Sequence, residues 1–246
     1  MTLAQQVSFN GETTIILIPA FNESMVVGAV IKEIKAHCNL PIVLIDDAST
    51  DNTVAVAQNA GATVIPLAAQ LGAWGAMQTG LRYALRHGYT TAVTMDADGQ
   101  HAATSLNDLL APVQEGVADV SIGTFTRRGS LLRRIAWVMM KRASGLSLED
   151  ITSGYRVYNY TAIEVLASWR ATLLDYQDIG VLLLLQSQGL RIVDIKVVMR
   201  ERQNGHSRVF HSWMMVGYYM LQTLLLGLSK RKLTGSYHNS PAARQA

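Results

Sequence analysis

Two carboxylates one residue apart, Asp96 and Asp98, close the apolar run Ala92-Val93-Thr94-Met95. Residues i and i+2 of a strand point to the same side, so such a pair at a strand's carboxyl end can converge on one hard cation. Carboxylate oxygens and water suit Mg2+ or Mn2+, a diphosphate can complete the shell, and Gln100 offers a third protein oxygen. A lone Asp-x-Asp is more often a solvated turn, so the rest of the chain has to decide. Acidic groups recur at two other apparent strand ends: Glu23 after Pro19-Ala20-Phe21-Asn22, and the stretch Asp46-Asp47-Ala48-Ser49-Thr50-Asp51. Asn22 or Ser24 can cap the helix that follows the first, with Glu23 near its positive end. Converging carboxylates raise one another's pKa unless donors or a cation intervene. The N–H and hydroxyl groups of a nucleotide base and ribose would serve the first two clusters, and a metal the third.

Cations gather elsewhere. Arg127, Arg128, Arg133, Arg134, Lys141 and Arg142 follow one another with no acidic residue among them. They form either a solvated helix face or a surface for a lipid phosphate or headgroup. Arg156, Arg202 and Arg208 carry the planar fork suited to phosphate, and Ser153 and Ser207 can add hydroxyl donors or cap their loops. Asp178 is either a general base for a hydroxyl acceptor or a helix N-cap; a phosphate acceptor is already anionic and needs no base. His101, His206 and His211 lack metal-ligand spacing and read as surface groups or as supports behind a site.

These residues need a scaffold, and the chain predicts one. Apolar β-branched strands over Thr14–Pro19, Pro41–Asp46, Thr63–Pro66, Thr91 onward and Val120–Thr124 alternate with helical patterns over Met25–His37, Thr50–Asn59, Ala73–Arg86 and Ser105–Gln114. Such alternation predicts an α/β fold with a mostly parallel sheet flanked by helices, whose ligands sit beyond the carboxyl ends of the strands. No linker-like stretch divides the 246 residues, so residues 1–210 read as one catalytic domain. Residues 211–235 read as an apolar helix with the basic flank Lys230-Arg231-Lys232, and residues 236–246 as a disordered tail. The apolar run Trp213–Leu228 is short for a membrane span, so a peripheral membrane contact or packing against a second subunit fits it better. Hydrophobic residues make up 49% and charged ones 16%, against about 25% charged in ordinary soluble domains, which points to surface meeting something other than water. The net charge of +3, without a basic stripe interleaved with aromatics, argues against nucleic acid. A single cysteine, Cys38, permits no internal disulfide and reads as a helix-end packing residue. The polar first residues lack a signal-peptide layout, so a cytoplasmic location is expected, at the inner face of the membrane if the acceptor is a lipid.

The segments Ile18-Pro19-Ala20-Phe21-Asn22-Glu23, Asp46-Asp47-Ala48-Ser49-Thr50-Asp51 with Thr53, and Met95-Asp96-Ala97-Asp98-Gly99-Gln100-His101 resemble the successive signatures of family 2 glycosyltransferases with the GT-A fold. Asp150-Ile151-Thr152-Ser153-Gly154-Tyr155-Arg156 and Arg202-Gln203-Asn204-Gly205-His206-Ser207-Arg208 are similar to two further segments of the branch containing dolichol-phosphate mannose synthase and bacterial polyprenyl-phosphate glycosyltransferases. The resemblance implies a metal-dependent inverting transfer from a nucleoside-diphosphate sugar to a polyprenyl phosphate or related envelope glycan acceptor. It implies that Pro19, Phe21, Glu23 and Asp47 bind base and ribose, and that Gly72, Gly75 and Gly80 admit the nucleotide close to the backbone. Asp96, Asp98 and Gln100 would hold the ion against the diphosphate, and Arg156, Arg202, Ser207 and Arg208 would take the acceptor phosphate. Asp178 stands where many relatives carry an acidic residue. Gln70 replaces the usual Asn, and the Gly72–Gly75 spacing is one longer than the common Gly-x-Gly. A nucleotidyltransferase shares the fold and acidic site, but no Gly-rich basic loop follows the first strand; a silent nucleotide-sugar binding protein would not need every acidic signature intact.

Overall fold

Ile15, Ile16, Leu17 and Ile18 leave no surface to solvent on either face of strand β1 (Thr14–Ala20), the pattern of a strand in mid-sheet with helices on both sides. The structure, a computed structural model, describes residues 13–125, 153–172 and 179–200. Within them the chain runs β1, α1 (Val27–His37), β2 (Ile42–Asp46), α2 (Thr53–Asn59), β3 (Thr63–Pro66), α3 (Gly72–Arg86), β4 (Thr91–Thr94), a 3-10 turn (Ala103–Ser105), α4 (Leu106–Gln114) and β5 (Val120–Thr124). After it come β6 (Arg156–Asn159), α5 (Tyr160–Ala167), α6 (Trp169–Thr172), α7 (Ile179–Ser187) and β7 (Ile192–Lys196). The strands form one sheet in the order β3-β2-β1-β4-β6-β5-β7, parallel except for β6, which runs antiparallel to both β4 and β5.

Each helix earns its place by its apolar face. Val27, Val30, Ile31 and Ile34 on α1, and Leu106, Leu109, Leu110 and Val113 on α4, recur at i, i+3, i+4 and i+7 and are buried. In α3, Gly80 is the point of closest approach to the sheet: a Cβ there would lie 2.7 Å from Ile45 Cδ1 and 3.3 Å from Leu17 Cδ1. Gly80 therefore serves helix–sheet packing, and Gly75, whose Cβ would meet Leu71, belongs to the first turns of the same helix. Cys38 is the C-cap of α1, partly buried against the core, and burial raises its thiol pKa.

The predicted alternation holds through β5, with ends moved where loop residues have other work. Helix α2 begins at Thr53 rather than Thr50, because the side chains of Thr50 and Asp51 bond into the neighbouring loop. Strand β6 was not anticipated by a parallel reading. Its reversal matters: Thr94 pairs with Arg156, so the start of β6 lies beside the end of β4. The basic run 127–142, the predicted helix 211–235 and the tail 236–246 lie outside the described residues.

Candidate active site

Register brings the acidic segments to one edge. Ala20 pairs with Asp46 and Leu17 with Thr94, so the chain leaves β1, β2 and β4 on the same side of the sheet. The reversed β6 adds Ser153 and Gly154 to that edge. The extension of β7 adds Val198–Arg200, where Met199 bridges His101, Arg200 N–H donates to the Gln100 carbonyl (2.8 Å), and Val198 N–H donates to Ser105 Oγ (3.0 Å).

The loops after β1 and β2 are laced together. Asn22 N–H donates to Ser49 Oγ (2.9 Å), Glu23 N–H to Thr53 Oγ1 (2.9 Å) and Ser24 N–H to Asp51 Oδ2 (3.2 Å). The amides of the loop ahead of α1 are thus taken up across the gap by Ser49, Asp51 and Thr53, and the N-cap residue of the helix is Val26, which has no capping side chain, not Asn22 or Ser24. Asn22 takes a left-handed conformation (φ 53°), and its Oδ1 accepts from Thr50 N–H (2.8 Å). Ala48 is also left-handed (φ 61°), a strain of about 1–2 kcal/mol. It is held by the Asp47 N–H bond to the Ala20 carbonyl (2.8 Å) and the Ser49 N–H bond to Asp46 Oδ2 (3.2 Å). Strain of this kind collects at functional turns. Burial opposes ionisation of Asp51, but hydrogen bonds from Thr53 and Ser24 outweigh it and bring its carboxyl down to about 2.

Asp46 and Asp47 are both buried and differ in occupation. Asp47 accepts from Leu71 N–H (2.7 Å) and Gly72 N–H (2.9 Å), so it caps the start of α3 across the site. Gly72, at φ 77°, makes the turn that presents those amides. Asp46 Oδ1 is buried without a hydrogen-bond partner among the described residues. Such an acceptor is normally satisfied, and a nucleotide N–H or hydroxyl would satisfy it.

At the third strand end, the Asp96 side chain is 43% exposed and Asp98 Oδ1 accepts from Gln100 N–H (3.1 Å). The Gln100 side chain is buried. Gly99, at φ 76°, turns the chain between them. Among the described residues no three His, Cys, Asp or Glu side chains converge as a metal cluster. The hard oxygens of Asp96 and Asp98 fit Mg2+ or Mn2+, which keep water and phosphate oxygens in their shell and need no all-protein cage.

Arg156, expected on a substrate phosphate, is fully buried, and its Nε donates to the Ser153 carbonyl (2.8 Å). Its place on a strand between β4 and β5 makes it an interior group behind the edge rather than an open claw. Pro19, Phe21 and Glu23 lie at or just past the end of β1, each partly exposed. Asp178, Arg202, Ser207 and Arg208 lie outside the described residues. Sequence reasoning did not find Glu33, whose carboxylate accepts from Ala103 N–H (3.1 Å) and pairs with Arg200 (2.5 and 3.0 Å). Burial works against its charge, but Arg200 and the Ala103 amide outweigh it and lower its pKa. Nor did it find the stripe Trp74, Gln78 and Arg82 on α3, which bonds the carbonyls of Ala171, Leu166, Ser168 and Ala167. Only an acid or polar residue at helical spacing hints at either.

The sequence model of a family described as glycosyl transferase family 2 matches residues 15–167. Polyprenol monophosphomannose synthase of Mycolicibacterium smegmatis is 29% identical over 216 residues, covering 80% of this chain and 81% of that protein. Undecaprenyl-phosphate mannosyltransferase of Micrococcus luteus is 28% identical over 232 residues, covering 87% and 94%. Among solved structures, glucosyl-3-phosphoglycerate synthase of Mycobacterium tuberculosis in complex with phosphoglyceric acid superposes with a TM-score of 0.68 at 20% identity, over 89% of this chain and 80% of that one. The same enzyme with Mn2+, uridine diphosphate and phosphoglyceric acid gives 0.66, over 90% and 78%. This likeness shows the fold, which is GT-A.

Proposed function

The chain belongs to glycosyl transferase family 2, within its dolichol-phosphate mannose synthase-like branch, and on that footing we propose that it moves a sugar from a nucleoside diphosphate to a polyprenyl phosphate, inverting the anomeric carbon with the help of Mg2+ or Mn2+. The observation that carries this reading is the convergence of Asp46, Asp47, Asp96, Asp98 and the Ser153–Gly154 segment on one sheet edge. Relatives named for polyprenol and undecaprenyl phosphate, matched over most of both chains, support the lipid acceptor.

Pro19, Phe21 and Glu23 line the base and ribose, with Asp47 joining them through lone pairs left over from the α3 amides. Asp96 and Asp98, with Gln100, would hold a divalent ion, which would supply neutralisation of the charge that grows on the departing diphosphate. An oxygen of the acceptor phosphate bonds to the anomeric carbon from the face opposite the leaving group. The bond from that carbon to the diphosphate breaks, its electron pair leaving with the nucleoside diphosphate. No proton has to move. Arg202, Arg208 and Ser207 position the acceptor phosphate, while buried Arg156 adds positive potential from behind the edge. A lipid-phosphate acceptor calls for work against a membrane surface, and on this reading that work lies at the cytoplasmic face. No helix among the described residues is long and apolar enough to cross a membrane.

The test is transfer to a short-chain polyprenyl phosphate. Removing a charge-assisted contact costs about 1.5–3 kcal/mol, roughly ten- to a hundredfold in rate, whereas losing a general base costs about 10² to 10⁴-fold. Arg202→Ala is therefore expected to be the more damaging and Asp178→Asn mild. A nearly inactive Asp178→Asn that folds and binds donor normally would mean a hydroxyl acceptor with Asp178 as base.

A further inference from the structure

Four residues separate Asp96 from His101, and a side chain closes the gap. His101 is 3% exposed, and its Nδ1 lies 3.2 Å from the backbone nitrogen of Asp96. An amide N–H can only donate, so Nδ1 holds a lone pair and the ring carries its proton on Nε2. That nitrogen faces Asp96 Oδ2 at 3.7 Å. The ring stacks on fully buried Tyr155, with centroids 5.0 Å apart and planes 20° off parallel. Tyr155 follows Gly154, and Gly154 abuts the same carboxylate: a Cβ on it would lie 2.7 Å from Asp96 Oδ2 and nearer still to Oδ1. The Gly154 carbonyl is fixed in turn by Thr94 Oγ1 at 2.7 Å. The end of β4, the turn after Asp98 and the start of β6 therefore meet around one carboxylate. Inside the turn that His101 staples, Asp98 accepts the Gln100 N–H.

We propose that His101 is a positioning residue for the metal-side carboxylates: its Nδ1 accepts the Asp96 N–H and so fixes the Asp96 backbone and with it the spacing of Asp96 and Asp98. The inference rests on reading Asp96 and Asp98 as metal ligands. Two variants separate the acceptor nitrogen from the packing of the ring. His101→Phe keeps the stack on Tyr155 and fills the space but cannot accept the Asp96 N–H. His101→Asn places an acceptor oxygen near the Nδ1 position and gives up most of the stack.

Mn2+ affinity is measured in the presence of a nucleoside diphosphate by electron paramagnetic resonance, with circular dichroism to confirm the fold. Groups that orient metal ligands are worth about 10- to 100-fold in metal affinity. His101→Phe is expected to weaken Mn2+ binding about tenfold or more, with a broadened Mn2+ signal, and His101→Asn to restore it to within about threefold of wild type. Long-range ¹H–¹⁵N spectra of the wild-type ring, which need no metal, are expected to show a protonated Nε2 and a bare Nδ1. Undiminished affinity in His101→Phe, an Asn variant as weak as the Phe variant, or a protonated Nδ1 would each overturn the proposal. Asp98→Ala in parallel locates a failure: if it too binds Mn2+ as wild type does, the metal assignment falls and this inference with it, whereas a weakened Asp98→Ala beside a normal His101→Phe removes only the role of His101.

Discussion

Asp47 shows how a side chain proposed to meet a ligand already serves the fold. Its two oxygens receive the amides of Leu71 and Gly72, the first orphan donors of α3, from a residue one strand and one loop away. A carboxylate has about four lone-pair sites, so a base N–H can still be accepted. Asp47→Asn swaps one acceptor for an NH2 that must face a backbone donor. The expected outcome is a loss of about 1 kcal/mol in urea unfolding, the size of a lost cap, together with weaker nucleotide binding by calorimetry. An Asn variant that loses nucleotide affinity at full stability would leave the base contact and remove the capping role. Asp47 was legible as a polar group at a strand end, but its partner was not. Leu71 and Gly72 contribute only backbone amides, and a backbone donor carries no side-chain signature. His101 was legible only as a surface group or a support behind a site, since its acceptor role depends on a turn that returns it to Asp96.

Between elements, the recurring device is a loop capped by its neighbour. The loop ahead of α1 borrows Ser49 and Asp51 from the loop after β2 and Thr53 from the start of α2, and Glu33 on α1 holds Ala103 of the 3-10 turn and Arg200 of the β7 extension. The helix positions were legible because apolar side chains repeat at i, i+3, i+4 and i+7. The caps were not, because Asn22 and Ser24 satisfy the local N-cap rule and only the tertiary fold shows better donors and acceptors across the gap. These bonds make a pH prediction with a definite sign. Asp51 is depressed to about 2 from 3.8, and Glu33 is also lowered. A carboxyl depressed in the folded state adds stability above its unfolded pKa and loses it as pH falls through the folded one. For Asp51 that window runs from about pH 4 down to about 2. The group is exposed, so its worth is about 1 kcal/mol at most once screening is allowed for. Asp51→Ala is expected to be less stable than wild type in urea at pH 7, with the difference shrinking below pH 4. A difference that stays constant with pH would mean that Asp51 acts through packing and not through its charge.

Across the molecule, a parallel sheet collects strand ends on one edge, which is why the first three acidic segments were readable as one site from alternation alone. The later segments reach that edge by means alternation does not reveal. Strand β6 enters reversed, so the residues before it, and not after it, join the site. The extension of β7 returns to pair with Gln100 and His101. Arg156 was legible as a phosphate-type side chain but not as an interior one, because its burial follows from a strand that lies inside the sheet. A site assembled from so many elements should stabilise all of them when filled. A ligand at about 100 times its Kd adds roughly 2.7 kcal/mol, and at about 2–4 °C per kcal/mol for a domain of this size that is roughly 5–10 °C in Tm. Nucleoside diphosphate with Mn2+ is expected to produce such a shift, nucleotide with a chelator a smaller one. Asp98→Ala should keep the chelator-sized shift and lose the rest, because the loops around Asp47 and Glu23, proposed to take base and ribose, do not depend on Asp98 for their bonds. A full shift in Asp98→Ala would place the metal elsewhere, and no shift at all in a folded Asp98→Ala would mean that nucleotide enters only behind the ion, leaving the loops after β1 and β2 without an independent hold on it.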